Sequence, residues 1–189
     1  MKKAKVAVIG CGAIASNQHI PAYSKNSMAE IKYLVDLLPE RAAELAKQYN
    51  IPYTATDYRE ILDDQEITAV SVCTPNNSHA QISIDFLNAG KNVLCEKPAA
   101  VNFELVKKMK EAADKNGKIL NIGVVNRFNT AVNKIKEMID RGELGKVYHI
   151  YCSFRAHRSI PGLGGQFTTK EVSGGGVLID WGVHFLDLI

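Results

Sequence analysis

Lys5-Val6-Ala7-Val8-Ile9-Gly10-Cys11-Gly12-Ala13-Ile14-Ala15 is an apolar run that falls directly into a G-x-G-x-x-A turn. A helical pattern follows, and then a second apolar run, Ile31 to Val35, ends in Asp36. Strand, glycine turn, helix, strand and acid in that order form the dinucleotide-binding fingerprint. Gly10 permits the tight turn off the strand, Gly12 has no Cβ to hold a pyrophosphate away from the backbone, and the small Ala15 lets the helix lie close on the strand. The helix start, with Ala13 and Ile14, then offers free N–H groups and a positive dipole end to the phosphates. Asp36 is expected to accept hydrogen bonds from the adenosine ribose, and its charge would repel a 2′-phosphate, so NAD is expected in preference to NADP. Arg41 keeps NADP as an alternative, but it falls in a predicted helix among Glu40, Glu44 and Lys47 and reads as a solvated helix charge.

The bulk numbers fit that beginning. The chain has 189 residues, 46% of them hydrophobic and 23% charged, enough for one full core and the start of a second. The net charge of +3 is scattered, and no basic stripe interleaved with aromatics suggests a nucleic-acid partner. No signal-peptide pattern opens the chain and no apolar run reaches membrane-spanning length. Cys11, Cys73, Cys95 and Cys152 are widely spaced, three of them in or just beyond apolar strand-like runs, which points to reduced thiols in a cytoplasmic setting. Without C-x-x-C or paired His/Cys spacing, no metal is expected.

Short β-type runs alternate with helical patterns through the first part, the signature of a doubly wound parallel α/β sheet. The strands are expected over Val6–Ile9, Ile31–Val35, Ala69–Cys73, Val93–Cys95 and Ile119–Ile122. Helices are expected over Ala13–Ser24, Pro39–Tyr49, Tyr58–Leu62, His79–Ala89 and Phe103–Asn116. Ser78 and Asn102 are N-cap candidates, Gly90 and Gly117 are stops, and Pro21 should kink or end the first helix. The pattern changes after Val125, and the division is set at residues 1–123 and 124–189. An amphipathic helix, Ala131–Arg141, precedes an alternating strand, Val147–Phe154, a long loop, Arg155–Gly176, and an apolar helix from Val177 to Ile189. So apolar a helix needs a sheet to lie on, so the second unit reads as the start of an incomplete domain. A 189-residue chain is then expected to bind NAD, to lack dehydrogenase activity and to aggregate through an exposed strand edge and helix face.

Three clusters fall at strand ends, where a doubly wound sheet places ligands. Cys73-Thr74-Pro75-Asn76-Asn77-Ser78-His79 sets amide and imidazole groups beside the expected ribose and nicotinamide; its plainer reading is a helix-capping loop. In Cys95-Glu96-Lys97-Pro98, Lys97 would donate a proton or hydrogen bond to a substrate oxygen, against the plainer reading of a solvated charge. In the segment from Gly174 to His184, Asp180 and His184 are four apart and share a helical face, so the carboxylate would orient the imidazole and raise its basicity. Its plainer reading is a core histidine satisfied by a helix neighbour.

The ordered set Gly10-Cys11-Gly12-x-x-Ala15, Asp36, Thr74-Pro75-Asn76-x-x-His79, Glu96-Lys97-Pro98, Asn126-Arg127-Phe128 and Gly175-Gly176-x-x-x-Asp180-x-Gly182-x-His184 resembles the Gfo/Idh/MocA oxidoreductase family. The resemblance implies a Rossmann domain followed by a C-terminal α+β open-sheet domain that forms the substrate site and a homo-oligomer interface. It implies Lys97 as the proton-handling residue, Asp180 as an orienting or substrate-binding group and His184 as the acid/base. Thr74, Asn76, His79 and Glu96 become cofactor or site-positioning groups. The activity implied is hydride transfer between nicotinamide and a secondary hydroxyl of a sugar, cyclitol or related polyol. A redox-assisted NAD-dependent glycosidase and a noncatalytic NAD-dependent sensor are the alternatives. Asn126, Arg127, Arg155, His157 and Arg158 are candidate substrate contacts, and the last three read equally as loop charges.

Overall fold

The computed structural model describes residues 3–153, 155 and 168–189. Its centre is a six-stranded, wholly parallel sheet with the order β3-β2-β1-β4-β5-β6. The strands are β1 (Ala4–Ile9), β2 (Ala29–Val35), β3 (Tyr53–Ala55), β4 (Ala69–Val72), β5 (Asn92–Cys95) and β6 (Leu120–Ile122). This is the dinucleotide-binding order, with its reversal between β1 and β4, where crevices open beyond the carboxyl ends of the strands.

Side-chain alternation along β1 feeds two cores. Val8 packs on one face with Leu34, Ile20 and with Ala42 and Ala46 of α2 (Pro39–Tyr49). Ala7 and Ile9 pack on the other with Phe86 and Leu87 of α3 (His79–Asn88) and Met109 and Ala113 of α4 (Phe103–Asn116). A sheet covered on both faces explains why its strands read as continuous apolar runs.

β3 is the strand that the apolar pattern did not announce. It is three residues long, partly exposed, and exists by pairing with Tyr33–Val35; Tyr33 stacks on Tyr53 at 5.1 Å. The first helix is also different from expectation. Pro21 does not end it: a π-helical turn, Ala15–His19, leads into α1 (Ile20–Lys25). Pro21 has no N–H to donate four residues back, and the wider turn, in which Ile20 N–H reaches Ala15 O, relieves that misfit. Tyr58–Ile61 is a 3₁₀ turn closed by an Asp57/Glu60 capping box, not an α-helix. Ser78 does not cap α3, because its hydroxyl donates to Pro75 O and pairs with the Thr74 hydroxyl, whereas Asn102 caps α4 through Leu105 N–H.

Beyond β6 lie α5 (Thr130–Asp140), α6 (Lys170–Ser173), a π-helical turn (Leu178–Gly182) and α7 (Val183–Leu186). The strand expected over Val147–Phe154 does not form in residues 147–153. An extended segment becomes a strand only by exchanging backbone hydrogen bonds with a neighbour, and β6 closes the described sheet at Ile122 without one for it. Tyr148 and Tyr151 are left exposed there, and α5 buries none of its residues. Among the described residues, no helix is long and apolar enough to cross a membrane.

Gly10 is the tightest point of the fold. Its φ is +89°, and an added Cβ would lie 2.8 Å from Cys73 O and 2.9 Å from the Cys73 carbonyl carbon. Gly12 has open space at the same test. Gly10→Ala should therefore cost at least about 2 kcal/mol in urea-unfolding stability, and Gly12→Ala well under about 1 kcal/mol. Equal stabilities would show that β1 and β4 can part without penalty.

Candidate functional site

The glycine turn leaves β1 with Gly10 N–H donating to Val35 O at 2.7 Å, which draws the ends of β1 and β2 together. Asp36, only 9% exposed, accepts Cys11 N–H on Oδ2 at 2.8 Å and Leu38 N–H on Oδ1 at 2.9 Å. A carboxylate has about four lone-pair sites, so one per oxygen stays available for ribose hydroxyls. Arg41 is not the free helix charge its sequence neighbours suggest, since its Nη1 lies 3.6 Å from Asp36 Oδ2 while the side chain stays half exposed. Cys11, Gly12, Ala13, Ser16 and Arg41 line the cleft between the turn and α2, while Ile14 is exposed and does not line it. A second depression, lined by Lys3, Lys5 and Glu66, sits at the opposite, amino end of the strands.

The loop after β4 does different work from what its polar residues suggest. His79, 1% exposed, spends both ring nitrogens on backbone carbonyls, Pro98 O at 2.7 Å and Thr74 O at 2.8 Å. It ties two strand-end loops together and keeps no polar atom for a cofactor. Asn76, also buried, donates to Ser173 O at 2.9 Å and so anchors α6 to the sheet's edge. Thr74 Oγ1 pairs with the Ser78 hydroxyl at 2.8 Å.

Glu96 is drawn inward rather than toward a ligand. Its Oε1 lies 2.8 Å from His19 Nε2, its Oε2 accepts Lys97 N–H at 3.1 Å, and a Cβ on Gly123 would stand 3.2 Å from the carboxylate. Burial acts to raise its pKa, but the hydrogen bond and charge of His19 carry it below the usual carboxylate range. His19 Nδ1 lies 3.3 Å from Ser71 Oγ, which pairs at 2.7 Å with Tyr23 OH. His19, Tyr23 and Ser71 escaped the sequence reading. The available signal was a serine inside the apolar run Ala69–Cys73, which must find a polar partner when fully buried.

Lys97, joined to Pro98 by a cis peptide, projects from the end of β5. Its Nζ donates to Asp180 Oδ1 at 2.7 Å and to Asp180 O at 2.8 Å, and stands 5.8 Å from the centre of the Trp181 ring. Residues 83 apart in sequence thus meet, as the cluster reading requires. The pairing within the cluster differs from expectation. Asp180 turns to Lys97, because residues 178–182 follow a π turn that does not keep the four-residue register of an α-helix. His184 Nδ1 is buried with no hydrogen-bond partner, and the ring stacks obliquely on Trp181 at 5.9 Å. Its pKa is lowered, first by burial and then by the Lys97 charge, with Glu96, Asp180 and Asp187 opposing. The imidazole is therefore held neutral at pH 7 rather than made more basic.

Of the remaining candidates, Arg127 is committed elsewhere. Its guanidinium grips the Asp187 carboxylate at 2.6 and 2.8 Å, a bidentate clasp that pins the last helical turn to the turn after β6. Asn126 is half-buried and Arg155 exposed, while His157 and Arg158 lie outside the described residues. Cys11, Cys73 and Cys95 are buried free thiols whose pKa values burial pushes up, Cys11 and Cys95 to about 12, so they stay protonated and inert. Among the described residues, no three His, Cys, Asp or Glu side chains converge as a metal site.

Comparison with known proteins gives the family and the fold. The model of an oxidoreductase family with an NAD-binding Rossmann fold matches residues 4–124, and that of the GFO/IDH/MocA C-terminal domain matches residues 132–189. The chain is similar to a D-glucoside 3-dehydrogenase from Escherichia coli (strain K12), 34% identical over 183 residues, covering 97% of this chain and 52% of that protein. The crystal structure of an NAD-binding protein from Listeria innocua superposes with a TM-score of 0.87 at 31% identity, covering 99% of this chain and 54% of that one. A levoglucosan dehydrogenase in complex with NADH and levoglucosan gives 0.82 at 27% identity, with 99% and 53% covered. The chain thus spans about half the length of the curated relatives it matches.

The position of His184 makes a pH-dependent expectation. Its folded value lies below the ordinary 6.5, so the native state binds fewer protons than the unfolded one as pH falls past 6.5. Stability is complete above that value and declines below it, and His184→Gln should flatten this part of the profile. Followed by NMR, the ring should titrate below 6.5 in the intact protein and move upward in Lys97→Met, which removes a lowering charge. A midpoint at or above 6.5 would overturn the assignment of a neutral imidazole.

Proposed function

From the premise that the chain belongs to the Gfo/Idh/MocA oxidoreductase family, we propose that the full-length protein is an NAD-dependent dehydrogenase acting on a secondary hydroxyl or ketone of a sugar, cyclitol or related polyol. The observation that carries this reading is the meeting of Lys97, Asp180 and a neutral His184 beyond the end of β5, on the same edge of the sheet as the glycine turn. A buried polar atom without a partner, such as His184 Nδ1, asks for an explanation, and an acid/base role provides one. The names of relatives, D-glucoside 3-dehydrogenase and levoglucosan dehydrogenase, support the substrate class.

The chain fits the cofactor. Gly12 has open space where a Cβ would stand, the helix start presents its amides, and Asp36 keeps lone pairs for a ribose while its charge disfavours a 2′-phosphate. NAD, when bound, supplies the hydride acceptor that the protein itself lacks. Lys97 Nζ donates a hydrogen bond to the substrate oxygen and steadies its developing charge. Asp180 holds Lys97 in place, and the His184 imidazole accepts the hydroxyl proton. In the reverse direction the imidazolium returns that proton to the oxygen of the ketone. Buried free thiols favour a reducing, cytoplasmic setting. The division of the chain after residue 123 belongs to this proposal, and so does self-association of the full-length protein through its C-terminal domain, which light scattering would read.

The test is a screen of the full-length protein against sugars and polyols with NAD, followed by NADH absorbance. Lys97→Ala or His184→Ala should lower kcat about a hundredfold or more while NAD affinity changes little. Near-normal turnover in both variants would sink the mechanism. Asp36→Ala should weaken NAD binding and improve the relative affinity for NADP, and tighter NADP than NAD binding by the unaltered protein would refute the cofactor assignment.

A further inference from the structure

We propose that His19 is a positioning residue for proton transfer, holding the Glu96 carboxylate so that it tethers the Lys97 main chain with the side chain facing Asp180. This rests on the role given to Lys97 above.

The connection is continuous. Tyr23 OH meets Ser71 Oγ at 2.7 Å, Ser71 Oγ meets His19 Nδ1 at 3.3 Å, and His19 Nε2–H donates to Glu96 Oε1 at 2.8 Å. Glu96 Oε2 then accepts Lys97 N–H at 3.1 Å, and Lys97 Nζ donates to Asp180 Oδ1 at 2.7 Å. Each partner comes from a different piece of the fold. His19 ends the π turn, Tyr23 lies on α1, Ser71 on β4, and Glu96 follows β5.

Burial gives the contact its weight. The His19 and Glu96 side chains are 10% and 12% exposed, so solvent screens the pair little and cannot replace a lost partner cheaply. Glu96 has few other places to go, because Gly123 closes one side of its carboxylate. The π turn places the ring: Pro21 widens the helix just where His19 must reach across to β4 and β5. A carboxylate freed from His19 would swing, and Lys97 N–H would lose its acceptor. His19 touches neither Lys97 Nζ nor Asp180, so its influence passes through Glu96.

Kinetics and amide exchange of the full-length enzyme test this. His19→Ala should lower kcat about tenfold or more, with the dissociation constant of NAD and the substrate KM within about threefold of the parent. Glu96→Gln should lose a similar factor, and the double variant no more than either single one, because both break one tether. His19→Gln, whose amide nitrogen reaches the place of Nε2, should recover most of the rate. His19→Asn, which reaches only the Ser71 side, should not. Lys97 N–H should exchange about tenfold faster in His19→Ala and at the parental rate in His19→Gln, a measurement that needs no substrate.

A kcat within about twofold of the parent in His19→Ala, a loss confined to NAD binding, multiplying losses in the double variant, or equal rescue by Asn and Gln would each overturn the proposal. Unchanged exchange of Lys97 N–H would do the same. Should His19→Ala fail to fold, the Gln and Asn variants decide it. Turnover retained in Lys97→Ala, with the tether intact by exchange, would instead overturn the role given to Lys97.

Discussion

The structure depends on how closely two strand ends approach one another at the switch point of the sheet. β1 and β4 are hydrogen-bonded neighbours whose connections leave in opposite directions, so a crevice opens between them. That crevice is narrow only because Gly10 has no side chain: any Cβ there would press on the Cys73 carbonyl. The glycine turn, the loop after β4 and the loop after β5 all leave from this edge. The glycine turn and the loops after β4 and β5 are therefore brought together by backbone packing at a single point.

A second layer of contacts seats the residues after β6 on that edge. Asn76 holds Ser173 O, Gly174 lies against Val101 so closely that a Cβ would clash at 2.8 Å, and Lys97 holds Asp180 through both carboxylate and carbonyl. Arg127 closes the arrangement by grasping Asp187. Apart from the close fit of Gly174 on Val101, these are polar, directional contacts, quite unlike the apolar cores on the two faces of the sheet. Directional contacts define where the short elements Lys170–Ser173 and Val183–Leu186 sit.

The polar groups near the crevice divide into those whose atoms are taken up by other parts of the fold and those left partly accessible or without a partner. His79 spends both ring nitrogens and Asn76 its amide nitrogen on backbone carbonyls, and Glu96 is turned inward to His19. Lys97 and Asp180 remain partly accessible, and His184 keeps an unpartnered nitrogen. Several polar residues near the crevice thus hold its loops in place, and few keep a polar atom free of such contacts. The sequence pattern of the first group looks like that of the second, because Asn, His and Glu at strand ends serve either purpose.

What the sequence determined by itself was everything governed by local period and local backbone need. Apolar runs of strand length alternating with helical patterns specify a parallel sheet with both faces covered. Gly10 marks the turn because φ of +89° excludes a side chain, and Gly117 and Asn102 mark the ends of α4 because a left-handed cap and an accepting side chain are local requirements. Tertiary structure alone decided the rest. β3 exists only because β2 offers it an edge, and residues 147–153 stay without strand structure because no described neighbour does. The choice of Asp180 for Lys97 rather than His184, the clasp of Arg127 on Asp187 and the convergence of His19, Ser71 and Tyr23 behind Glu96 join residues up to 83 positions apart. A hydrogen bond depends on separation in space and on the burial around it, and neither is written in the spacing of residues along the chain.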